Sequence, residues 1–159
     1  MVINTSPLIS LIAAWGSLNR LQSLYQEVWV PVEVRQEILK GGVNNFGVAE
    51  FQVAIWLIQQ QDPVTISPFL LNSLDLGEAS VIQLALDQSI ATVCMDEVVG
   101  RRIARLNGLS LTGSVGILLK AKQQDSAMSV KEAISNMLNH NIRLSQTVVD
   151  FALAQAGES

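Results

Sequence analysis

Four side chains at strand ends, or on the helices that follow them, could do chemistry in this sequence: Asn4, Glu37, Glu78 and Asp96. Acids and an amide, with no His or Cys among them, suit a hard cation with oxygen ligands, Mg²⁺ or Mn²⁺. Such an ion can activate water and hold a phosphodiester oxygen. Asp96 is the sharpest of the four. It ends the apolar run Ala91-Thr92-Val93-Cys94-Met95, which lacks period-two alternation and reads as a strand buried on both faces. From Val98 to Asn107 the pattern is helical, stopped by Gly108. A carboxylate where a parallel strand gives way to a helix sits at the carboxyl edge of the sheet, where open α/β sheets bind ligands.

Each residue also has a purely local reading. Asn4 suits an Asx-turn into a helix capped by Ser6. Glu78 closes an Asp75-Leu76-Gly77-Glu78 capping box, yet shares a face with Ile82 and Ala85 that points it at the sheet. Glu33 and Glu37 stand four apart on one helix, where like charges destabilise by about 0.2–0.5 kcal/mol. Something positive is expected between them, a metal or an arginine such as Arg35 or Arg20. Asp96 suits a cap for its helix, and Glu97 suits a pair with Arg101. Arg101, Arg102 and Arg105 form either a solvated helix face or a clamp on a polyanion backbone. Thr112-Gly113-Ser114 could bind a phosphate through backbone N–H groups. Joint placement on one sheet edge carries more weight than any single residue.

The elements that must position these groups alternate. Strands are expected at Met1 to Ile3, Val28 to Val30, Val64 to Ile66, the run ending at Asp96, and Leu109 to Thr112. Helices are expected at Leu8 to Trp15 after the Ser6-Pro7 start, Ser17 to Tyr25, Pro31 to Lys40, Val48 to Gln61, Gly77 to Gln88, Val98 to Asn107 and Gly113 to Gln124. A Ser129-Val130-Lys131-Glu132 capping box starts another, and a last runs from about Ser145 to Ala156. Five β-α repeats followed by two helices imply a five-stranded parallel sheet covered on both faces, a three-layer α/β fold.

The 159 residues suit a single domain, with residues 129–156 as its C-terminal helices. An acidic balance of 14 against 10 basic residues argues weakly against a nucleic-acid binder but leaves room for a local basic patch. One cysteine, Cys94, excludes an intrachain disulfide and fits a reducing cytoplasm. With His140 as the only histidine, Cys/His zinc sites are excluded. No signal peptide or membrane span is readable. Neither G-x-G-x-x-G after a strand nor a P-loop is present, which argues against a dinucleotide or nucleotide fold.

Val2-Ile3-Asn4-Thr5-Ser6-Pro7-Leu8-Ile9 resembles the opening strand and turn of PIN domains, the fold of VapC-type toxin ribonucleases. Val30-Pro31-Val32-Glu33-Val34-Arg35-Gln36-Glu37-Ile38 resembles their second strand and helix. Leu76-Gly77-Glu78-Ala79 and Met95-Asp96-Glu97 resemble the later acidic positions, and Gly100-Arg101-Arg102-Ile103-Ala104 and Leu111-Thr112-Gly113 match an uncharacterised PIN-like branch best. The resemblance implies a Mg²⁺- or Mn²⁺-dependent ribonuclease, the toxin half of a toxin–antitoxin pair. It implies Asn4, Glu37, Glu78 and Asp96 as metal ligands, the last three as the catalytic acids, with Ser6 and Glu97 supporting them. Arg101, Arg102, Thr112 and Ser114 would hold RNA. The expected partners are RNA, an antitoxin protein and, through Val148, Phe151 and Ala152, a second copy of the chain; those residues equally suit the core. The first acidic position is normally aspartate, and here it is Asn4, which can ligate a cation but brings no charge. The rival reading is a PIN-fold module that has lost catalysis and binds RNA or protein.

Overall fold

The computed structural model describes residues 1–159. Strands β1 (Val2–Ile3), β2 (Trp29–Val30), β3 (Ile58–Gln59), β4 (Thr92–Cys94) and β5 (Ser110–Thr112) form one parallel sheet in the order β3-β2-β1-β4-β5. Val2 pairs with Trp29 on one side and Val93 on the other, and Ile3 pairs with Cys94. Val2, Ile3, Val93 and Cys94 are fully buried, as strands covered on both faces must be. The chain winds outward from β1 through β2 to β3, then crosses back to β4 and β5. The order therefore reverses between β1 and β4, where their carboxyl ends part to leave a crevice.

Ten α-helices flank the sheet: α1 (Thr5–Trp15), α2 (Asn19–Leu24), α3 (Val32–Lys40), α4 (Val48–Val53), α5 (Pro68–Ser73), α6 (Leu76–Asp87), α7 (Val98–Leu106), α8 (Ser114–Gln124), α9 (Val130–Asn139) and α10 (Gln146–Ala156). Their stops are local. Gly16 and Gly157 end α1 and α10 in the left-handed conformation that glycine adopts without strain. One cluster of 37 buried apolar residues runs through all the layers. The C-terminal helices belong to it: α9 packs on α1, with Asn136 Nδ2 donating to Ala14 O at 3.0 Å. The Glu158 carboxylate accepts from Ser129 Oγ and Val130 N, both at 2.8 Å, and so caps the start of α9.

Four expectations are corrected. The helix expected from Val48 to Gln61 stops at Val53, and the third strand is Ile58–Gln59 rather than Val64 to Ile66. The run Val53-Ala54-Ile55-Trp56-Leu57-Ile58 is apolar throughout, so periodicity cannot tell helix from strand there. Tertiary pairing decides it: Ile58 N and Gln60 N donate to Val28 O and Val30 O of the neighbouring strand. The first helix begins at Thr5, so Asn4 rather than Ser6 holds the cap position, although its side chain makes no capping bond. Helix α2 likewise begins at Asn19, two residues after the expected Ser17.

Candidate metal centre at the sheet edge

Helix α6 carries two of the groups that meet here. Asp75 Oδ1 accepts from Glu78 N at 2.8 Å, the capping bond that starts the helix. That first turn brings Asp75 and Glu78 over the carboxyl end of β1, beside Asn4 and beside Glu37 from α3. Thr5 Oγ1 donates to Glu37 Oε2 at 3.1 Å and ties α3 to the start of α1. A cavity of about 350 Å³ results, lined by Asn4, Ser6, Glu37, Asp75, Glu78, Glu97, Val98 and Val99. Asn4 and Glu78 are buried in its floor, while Glu37, Asp75 and Glu97 are exposed at its mouth.

A glycine beside this cavity leaves room for its oxygens. A methyl group at Gly77 would lie 2.8 Å from Glu37 Oε2, 3.4 Å from Asn4 Oδ1 and 3.6 Å from Asp75 Oδ1. Three oxygens thus converge where any side chain would stand. Gly100 plays the same part for Glu78, whose Oε1 would be 3.0 Å from a methyl there.

No lysine or arginine lines the cavity, and the chain's two ion pairs, Arg20–Asp125 and Lys122–Glu158, lie elsewhere. Four carboxylates are therefore uncompensated. Burial raises the pKa of Glu78 above its ordinary value, and the charges of Asp75 and Glu97 add to the rise. The donor set of carboxylate and amide oxygens fits a hard divalent cation. In this structure no three acidic, His or Cys side chains converge closely enough to hold a metal ion by themselves. Glu97, exposed at the mouth, would have to turn inward to complete a ligand shell around the Glu37, Asn4 and Asp75 oxygens.

Asn4, Glu37 and Glu78 are thus brought together, with Ser6 at the rim, but Asp96 is not among them. Its Oδ1 accepts from Ser114 N at 2.8 Å and its Oδ2 from Ser114 Oγ at 2.9 Å. Asp96 therefore caps α8, the helix after the neighbouring strand, rather than its own. Glu97 faces the cavity in its place. Arg101 does not pair with Glu97: its Nη1 donates to Met95 O at 2.7 Å and Thr112 O at 3.3 Å. Arg102 is exposed on α7, while Thr112 and Ser114 line a separate cavity with Asp96.

No arginine lies between Glu33 and Glu37. Arg35 reaches Gln60 O, Arg20 pairs with Asp125, and the buried Glu33 carboxylate has no partner. Asp75 is the residue that sequence reasoning missed as a cavity acid. Its signal was present in the capping box, but the capping bond explained it fully.

An acidic crevice at the switch point of a parallel sheet is thus the candidate site of this α/β domain. The family model described as a PIN domain matches residues 1–158, and the chain belongs to that family. No curated protein and no solved structure shows a significant match. No helix is long and apolar enough to cross a membrane.

Two substitutions check these assignments. A raised carboxyl pKa means that the folded state holds a proton the unfolded chain releases, so stability falls as pH rises through that pKa. Glu78→Gln should therefore raise the melting temperature at pH 7, with the gain vanishing below the ordinary glutamate range. Asp96→Ala should cost roughly 0.5–2 kcal/mol through the lost cap of α8. Calorimetric Mn²⁺ affinity should stay within about twofold of the native value, and a larger loss would return Asp96 to the ligand set.

Proposed function

We propose that the chain is a cytoplasmic endoribonuclease of the PIN type, dependent on Mg²⁺ or Mn²⁺, and the toxin of a toxin–antitoxin pair. The observation that carries this reading is the cradle at Gly77, where Glu37, Asn4 and Asp75 present oxygens to one point with no positive side chain beside them. Glu37, Asp75, Glu78 and Glu97, with the Asn4 amide oxygen, would hold the ion. A bound cation would neutralise phosphate oxygens and acidify water at the scissile phosphorus.

The protein's own groups have distinct parts. Asn4 and Glu78 are fixed by burial and by the helix start, so they define the floor. Glu37 is held toward the cavity by the Thr5 hydroxyl. Glu78, whose proton affinity burial and its acidic neighbours raise, is the carboxylate that a bound cation would hold ionised. Leu76, Val98 and Val99 leave an apolar rim 55%, 79% and 56% exposed, which supports an antitoxin protein that covers the site.

A second reading has its own support. Asn4 supplies no charge where PIN domains normally carry aspartate, and no three acids converge as a ligand group. Both favour a module that binds RNA or protein without cleaving it.

Gly77 lies in a helix at ordinary φ, so alanine there should gain up to about 1 kcal/mol of helix propensity. Gly77→Ala should nevertheless lower Mn²⁺ affinity at least tenfold by displacing the Glu37 carboxylate, as titration calorimetry would show. Unchanged affinity would mean that the cradle holds no ion.

Asn4→Asp adds a fifth carboxylate to the cavity. It should lower the melting temperature at pH 7 without metal, tighten Mn²⁺ binding about tenfold, and raise cleavage of single-stranded RNA. Should neither affinity nor cleavage rise, the non-catalytic reading becomes the better one.

A further inference from the structure

A second cavity of about 560 Å³ adjoins the acidic one, and Val98 lines both. Its size lies within the range of about 300–1,000 Å³ usual for sites that enclose small ligands. Charge divides between the two. The first cavity holds four carboxylates and no cation, whereas the second holds Arg101 and Arg143 against the single acid Asp96. Both Asp96 oxygens already accept from Ser114. Arg101 is a fixed charge in the wall, anchored to the carbonyls of Met95 and Thr112. Arg143 is exposed, takes part in neither ion pair of the chain, and is free to reach an anion.

The remaining wall mixes apolar and hydroxyl side chains, from β5 and α8 on one side and from the segment between α9 and α10 and α10 itself on the other. Ala152 is fully buried and sets the rotation of α10. That rotation leaves Phe151 lining the cavity and 56% exposed. An exposed aromatic residue lining one cavity with two cations, next to a cavity that would hold a metal and a phosphate, matches the repeating chemistry of a single RNA strand. Each nucleotide offers an anion to arginine and a flat π-face to an aromatic side chain. An apolar helix of a partner protein would cover the same ring but would leave the charge of Arg101 and Arg143 unanswered.

We propose that this cavity is a nucleobase subsite. It takes the base of a nucleotide next to the scissile phosphate, stacked on Phe151, with Arg143 on the adjoining phosphate. The proposal rests on the nuclease reading above and adds the C-terminal helix to the substrate site.

The test measures fluorescence anisotropy of a labelled single-stranded octaribonucleotide in EDTA, so that binding is read without cleavage. A series carrying one abasic residue at each position is measured alongside. The native chain should bind the best-placed abasic oligomer about tenfold more weakly than the intact one. Phe151→Ala should lose about tenfold on the intact oligomer and no longer distinguish the abasic ones, while Phe151→Trp should restore both. Arg143→Ala should flatten the dependence of affinity on salt by about one phosphate contact. Thermal melts should show all three variants folded, since both positions are exposed.

Undiminished RNA binding by Phe151→Ala would overturn the subsite and leave the nuclease reading standing. If Phe151→Ala instead abolished self-association or a protein complex with RNA binding unchanged, the cavity would be a protein interface. A native chain that binds no oligoribonucleotide in EDTA would overturn the subsite, because Phe151 and Arg143 need no metal; absence of cleavage with Mn²⁺ present would overturn the nuclease reading separately.

Discussion

Negative charge at a partly buried crevice, with no basic side chain to answer it, governs the carboxyl edge of this sheet. Glu37, Asp75, Glu78 and Glu97 share one cavity, and no basic side chain enters it. Like charges held together in this way retain protons or recruit a cation. The proton affinity of Glu78 is raised first by its burial and then by the charges of Asp75 and Glu97. Asn4 limits that charge. An amide at the end of β1 keeps an oxygen in the cavity without adding a fifth charge to its buried floor. The same substitution that weakens attraction for a cation makes the empty fold easier to hold, a familiar opposition between site and stability.

Geometry is arranged around the oxygens by subtraction. Gly77, Gly100 and Gly113 all have ordinary backbone angles, so none is required by a turn. Each removes a methyl that would press on a functional atom: Glu37 Oε2 at 2.8 Å, Glu78 Oε1 at 3.0 Å and Asp96 Oδ1 at 2.7 Å. Helix α6 gives up helix propensity at its second residue in return for room. Asp75 restores part of that stability as the cap while remaining a member of the acidic cluster.

Most of this was readable in the sequence because local signals agreed. Capping boxes placed α6 and α9, glycines ended α1 and α10, apolar segments marked β1, β2, β4 and β5, and their alternation with helices implied a parallel sheet. The third strand was not readable, since Val53 to Ile58 satisfies helix and strand alike and only pairing with β2 decides. The presence of acids at the sheet edge was legible too, but their orientation was not. Asp96 and Glu97 are adjacent where the chain leaves the strand, and alternation no longer governs which way each side chain points. What turns Asp96 away is Ser114, a residue from the next β-α unit, whose position only the folded chain supplies. Phe151 was read as dimer or core for a similar reason: on a short apolar helix, the buried Ala152 alone fixes the rotation.

The central position of β1 has a bearing on how the chain is made. Its first strand leaves the ribosome before any partner exists, and β2 can cover only one of its edges. The other edge waits for β4, whose residues lie past the middle of the sequence. Until then a fully apolar Val2-Ile3 strand has unpaired backbone groups, in a topology whose non-local pairings close slowly. Nascent chains halted before Cys94 should thus be clients for chaperones, and the acidic crevice can form only after β4 has joined the sheet.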